Sequence, residues 1–199
     1  MLLDQAIRKC CVDRLSWQRL PEKWIFQVSD YATYQALHSY EKLLEHEMLA
    51  ILKDAAARPE LFGWFGPIAN HEIDSWLKQS NLRMPDDVRE LWAVTGGGDF
   101  FDEGETLLRP TAVQSSEPYF IESTDFIDSV NQYCISNGMS TDYLLFHSGS
   151  FQSAIRLSDQ RIVTLDSAFR LIEAFSHLDD WYLATLRHDY ADVYGFRIS

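Results

Sequence analysis

At 199 residues the chain has room for one domain with an elaboration, or for two small ones. Its 46% apolar and 14% aromatic content excludes a disordered chain. No run reaches the roughly 18 apolar residues of a membrane span, and a formal charge of −13 excludes the basic footprint that nucleic acid requires.

That charge is unevenly placed. Residues 1–58 carry eight acids and eight bases, so the whole excess falls on residues 59–199. Such a surface suits a basic protein partner, and solubility alone is the competing reading. Asp4 stands where a secretory leader would need its apolar core, which predicts a cytoplasmic protein. Cys10, Cys11 and Cys134 form no CxxC pair and are odd in number, against a disulfide framework or a zinc site. Cys134 falls in an apolar helical pattern and reads as a small buried hydrophobe.

The first predicted helix spans residues 2–14, with Leu3, Ile7 and Arg14 in register. A second begins at Ser29 or Asp30 and keeps Tyr34, Leu37, Leu44, Met48, Ile51, Leu52 and Ala55 on a 3.6-residue period. It should stop before Pro59, whose ring disfavours helical geometry at Arg58. This 30–58 helix either packs on the main domain or forms a homo-oligomer contact. Residues 59–70 read as an aromatic-rich connection to a short helix capped by Asn70, with Ile73, Trp76 and Leu77 inward.

The most informative stretch runs from Met84 to Pro110. Pro85 opens a helix, Val88, Leu91, Trp92 and Thr95 share one face, and Gly96 ends it. An acidic loop then leads into a strand-like run from Glu105 to Arg109. After a polar loop, a helix capped by Ser123 or Thr124 runs to Gly138. Tyr143 to Phe146 is a strand, and Ser153–Leu157 with Val163–Leu165 has the alternation of a hairpin. Helical patterns around Phe169–Ala174 and His177–Leu186, with Ser176 as the cap between them, close the chain. Helices, then strands, then helices, with no βαβ repeat, predict an α+β fold with a central, mostly antiparallel, twisted sheet packed by helices. Residues 1–58 would be an N-terminal helical extension and 59–199 the α+β domain.

Chemistry is scarce. His71-Glu72 lacks the second histidine of HExxH, and Gly96-Gly97-Gly98 ends a helix where a phosphate loop would open one. Ser148-Gly149-Ser150 does not have the spacing of a nucleophile elbow. Acids such as Asp86, Asp87 and Asp179 sit where a helix's first turn favours them. No catalytic residue, cofactor or metal is expected. Asp99, Asp102, Glu103 and Glu105 are different, because they lie past a helix C-terminus, where the dipole disfavours acids. Phe100 and Phe101 are interleaved with them, one expected in the core and the other as an exposed anchor.

The order Ile73, Trp76, Leu77, then Met84-Pro85, Asp86-Asp87, Val88-Arg89-Glu90-Leu91-Trp92 and Thr95-Gly96-Gly97 resembles the SUKH superfamily of Smi/Knr-like domains. Leu144-Leu145-Phe146 with Ser148-Gly149, Ile162-Val163 to Asp166, and Ala174-Phe175-Ser176 resemble its later elements. The likeness spans roughly Phe65 to Leu186. It implies, for a bacterial member, an immunity protein that neutralises a cognate polymorphic toxin domain, many of which are nucleases. For eukaryotic relatives it implies a regulatory or scaffold module, and it brings no catalytic residues. The expected contact surface comprises Asp86, Asp87, Glu90, Asp99, Phe100 or Phe101, Asp102, Glu103 and Glu105, with Glu117 and Glu122 as additions.

Overall fold

A proline and a glycine set the limits of the helix at the centre of the molecule. In the computed structural model, which describes residues 49–101, 104–110 and 126–195, this helix (α3) spans Asp86–Thr95. Pro85 precedes its first turn, where no intrahelical N–H is required, and Gly96 follows it in the left-handed region at φ +66°. A side chain at Gly96 would also meet the Gly66 carbonyl oxygen at 1.9 Å, because residues 65–68 run against the end of the helix. Val88, Leu91, Trp92 and Thr95 are buried as their spacing predicts. The indole of Trp92 donates to the Leu108 carbonyl at 2.9 Å, fixing helix to sheet.

Seven strands follow one another across a single sheet in sequence order, every neighbour antiparallel. They are β1 Phe62–Trp64, β2 Gly98–Phe100, β3 Glu105–Leu107, β4 Tyr143–Ser148, β5 Gln152–Arg156, β6 Arg161–Leu165 and β7 Leu171–Phe175. The helices are α1 Ala50–Ala57, α2 Asn70–Gln79, α3, α4 Ile127–Ser136, α5 Leu178–Ala184 and α6 Leu186–Tyr194. The fold is therefore α+β. Strands β4, β5 and β6 are buried at successive residues, Ser153 and Thr164 included, because they are covered on both faces. Helix α4 packs on β4, and α5 packs on β6 and β7.

Asn131 on α4 illustrates how the sheet is completed. The pairing of β3 with β4 reaches only His147 and Ser148. Just past it, the Asn131 amide accepts from the Leu145 N–H at 2.7 Å and donates to the Leu145 carbonyl at 2.9 Å. One side chain thus stands in for a strand, which buried backbone groups demand.

Several sequence expectations are corrected here, among them the Ser123 or Thr124 cap, since α4 starts at Ile127 with Phe126 at the cap position. Residues 171–175, expected to be helical, form β7, and the helix after them starts beyond His177, so Ser176 is not its cap. Helix α2 has Ala69 at its cap position, with Asn70 already inside the first turn. Of the expected 30–58 helix, the described residues hold only α1, which starts after the non-helical cap residue Leu49, so the helix is not continuous there, and which stops before Pro59 as expected. Its Ile51, Leu52 and Ala55 belong to the same core as the sheet, and the Asp179 carboxylate caps it by accepting the Ala50 N–H at 2.8 Å. The expected helix over 2–14, the earlier part of the 30–58 helix and the polar loop after Pro110 lie outside the described residues.

Candidate functional site

The loop expected to form a binding surface is mostly built inward. Phe100 and Phe101 are both buried, at 1% and 2% exposure, so neither is an exposed anchor. Phe101 stacks on Tyr190 and Tyr194 of α6, and Phe100 packs with Phe62, Trp64 and the His147 ring. Glu105 is fully buried as well. It begins β3 on the same face as Leu107, and that alternation puts it in the core.

The remaining predicted acids separate in the same way. Asp87 accepts the Leu178 N–H at 2.6 Å, tying α3 to α5. Asp99 accepts the Thr106 hydroxyl across the β2–β3 pair. Glu90 is half-buried; burial first, then the charges of Asp87 and Asp179, push its carboxyl above the ordinary value. Asp86 is exposed. Asp102, Glu103, Glu117 and Glu122 lie outside the described residues. Of the described part of the predicted surface, Asp86 alone is a fully exposed acid.

Glu105 is instead the hub of a buried polar network. Its Oε2 lies 2.9 Å from His147 Nε2, and its Oε1 accepts Ser150 Oγ at 2.6 Å and the Tyr190 hydroxyl at 2.8 Å. The Ser150 N–H reaches both oxygens at 3.2 and 3.3 Å. On the other side of the imidazole, Nδ1 is 3.2 Å from Ser153 Oγ, which also accepts the Trp181 indole N–H at 3.0 Å. One proton per bond places the His147 N–H on Nε2, giving a directed chain from Trp181 through Ser153 and His147 to Glu105. Burial alone would raise the Glu105 carboxyl, but hydrogen bonds from His147, Ser150 and Tyr190 hold it below the ordinary range. Conversely, burial and the Glu105 carboxylate push the Tyr190 hydroxyl up to about 12.

Serine, histidine and glutamate in this order have the chemistry of a nucleophile relay. Ser153, His147 and Glu105 each have no solvent exposure, however, and Ser153 Oγ is enclosed by Trp181 and His147. The arrangement fastens β3, β4, β5, α5 and α6 together. The adjacent Gly149 is required by it, since a Cβ there would sit 1.8 Å from Glu105 Oε2 and 2.8 Å from the Gly104 carbonyl.

Among the described residues, besides Tyr133 and Ile135 on α4, the large apolar side chains that face solvent lie in the last quarter of the chain. Leu171 and Ile172 on β7, Leu183 on α5 and Val193 on α6 are 46%, 61%, 45% and 69% exposed. Interleaved with them are Glu173, Asp180, Asp189 and Asp192, all exposed and without an ion pair among the described residues. These three elements pack in succession, α5 on β7 and α6 on α5. Sequence reasoning missed this set because it assigned β7 to a helix. The signal was present in Leu171-Ile172-Glu173, two aliphatic residues and an acid ahead of a more buried partner at Phe175.

No protein-family model matches the sequence, and a comparison with curated proteins gives no match. Among the described residues no helix is long and apolar enough to cross a membrane, and no group of three metal-ligating side chains converges.

Proposed function

We propose that this protein is an immunity-type binding protein, acting in the cytoplasm by occupying a cognate basic toxin domain, a nuclease domain foremost, and not by turnover. The observation that carries this reading is the exposed set on β7, α5 and α6. There, four apolar side chains stand among four exposed acids that have no ion pair among the described residues. Unpaired acids attract a basic cleft and raise the rate of encounter by roughly 10–10³-fold, while apolar anchors supply the slow dissociation. The resemblance of the Met84–Gly97 stretch to SUKH domains supports the same reading. So does its folding as helix, glycine stop and strand pair.

The reading predicts that the gene lies directly downstream of one for a large secreted protein with a variable C-terminal domain, and the test is co-expression with that domain. Growth should be restored by this protein and lost again with the pair Glu173→Lys and Asp180→Lys. Equal killing with and without the protein would remove the pairing, and a regulatory module would then be the better account.

A further inference from the structure

A second surface has the opposite chemistry. Between the end of α2 and the β5–β6 turn lies an open groove of about 490 Å³. Its floor is Leu77, Leu82 and Leu157, each partly buried against the core. Lys78 and Arg83 form its rim. Most arginines described elsewhere are engaged: Arg89 with Asp74, Arg156 with Asp159, Arg170 with Asp166 and Arg187 with Asp54. Lys78 and Arg83 have no carboxylate partner among the described residues. In a chain of net charge −13, two unpaired cations beside one apolar floor stand out from the rest of the surface.

The walls are fixed in advance. Asn81 and Gln160 face the groove from opposite sides and both hold left-handed backbone, at φ +52° and +62°. The Leu82 N–H closes on the Leu77 carbonyl at 2.9 Å, and the Gln160 amide donates to the Leu157 carbonyl at 3.1 Å. The nearby acids are turned to other work, Asp159 to Arg156 and Asp142 to the Ser158 hydroxyl and N–H. Asp159 is therefore neutralised by Arg156, and Asp142 is held on Ser158 and makes no ion pair with Lys78 or Arg83.

We infer that this groove is a docking site for an acidic peptide segment of a partner protein, one with an aliphatic or aromatic side chain flanked by carboxylates. Charge complementarity selects the carboxylates, and the leucine floor selects the apolar side chain. A free anion is disfavoured because the net negative field of the molecule repels it at long range, and two exposed cations hold it weakly. An occupant that also buries apolar surface overcomes that field at contact. The site is distinct from the exposed acids of β7, α5 and α6 and does not depend on the toxin reading.

Fluorescence anisotropy with a short labelled peptide of alternating leucine and glutamate tests this. Saturable binding is expected, weakened about tenfold by Lys78→Met with Arg83→Met, the loss of two partly screened charge contacts. Both side chains are exposed, and an unchanged melting curve would show that the variant is folded. A matched peptide of serine and glutamate should bind more weakly. Equal binding of that peptide, equal binding of one with glutamine for glutamate, or an unaffected double variant would overturn the proposal. So would self-association of the protein that Lys78→Met with Arg83→Met abolishes, read by sedimentation, which would make the occupant a second copy.

Discussion

Glu105 Oε2 lies 2.9 Å from His147 Nε2, with neither side chain exposed to solvent. The pair joins the first residue of β3 to the fifth of β4, and through Ser150, Tyr190 and Ser153 it reaches two helices and the next strand. Removing His147 takes from the buried carboxylate its side-chain donor on Oε2. Substituting His147→Leu should therefore cost about 3–5 kcal/mol, and Glu105→Gln, which keeps the shape and one acceptor, about 1–3 kcal/mol. Urea denaturation measures both. A loss below about 0.5 kcal/mol for His147→Leu would show that the hub does not hold the fold together.

The same carboxylate sets a pH dependence whose sign follows from its direction. Glu105 is held below the ordinary glutamate range, so its stabilisation is present above the unfolded-state value and is lost as pH falls through the lower folded-state value. Glu90 is raised and works in the other direction. Its contribution is complete in acid and lost as pH rises through the folded-state value, so Glu90→Gln should stabilise the protein at neutral pH. Denaturation across the acid range should show a shallower fall for Glu105→Gln than for the wild type. Parallel curves would contradict the assignment.

Two glycines make separable predictions. Gly96→Ala drives a Cβ against the Gly66 backbone oxygen and forces a left-handed alanine, with no flexible atom to yield. Gly149→Ala meets the Glu105 carboxylate, which is locked by its donors, and the Gly104 carbonyl. Each should cost about 1–3 kcal/mol as an overpacking change. Only Gly149→Ala should also loosen Tyr190, read as increased quenching of tyrosine fluorescence or a shifted ring resonance.

Asn131→Leu removes the stand-in for a strand and leaves the Leu145 N–H and carbonyl buried without those partners. A loss of about 2–4 kcal/mol is expected, with faster hydrogen exchange at the Leu145 amide than at its neighbours. Uniform exchange along β4 would mean that Asn131 contributes only through its own bond to Ile127.

How far the sequence carries the argument depends on local signals. Helix α3 was legible because a proline, a 3.6-residue stripe and a glycine all agree. The β5–β6 hairpin was legible from its alternation around Ser158-Asp159-Gln160. Strand β7 was not, since Leu171, Glu173 and Ala174 are ordinary helix formers. What turns the chain back is Asp166, whose carboxylate accepts the Ala168 and Arg170 N–H groups while Phe169 takes φ +59°. Glu105 was misplaced because charge was weighed above strand parity with Leu107, and its partner His147 lies 42 positions away. That error displaced the expected surface. Replacing Asp102, Glu103 and Glu105 together would therefore disrupt the hub as well as change the net charge.

The central claim is that binding runs through the acids of β7, α5 and α6. Stopped-flow association with the cognate toxin domain, at low and high salt, tests it most directly by comparing two charge-reversal sets. Glu173→Lys with Asp180→Lys should slow association and flatten its salt dependence, whereas Asp86→Lys should leave both nearly unchanged. The reverse pattern would return the interface to the start of α3 and contradict this account.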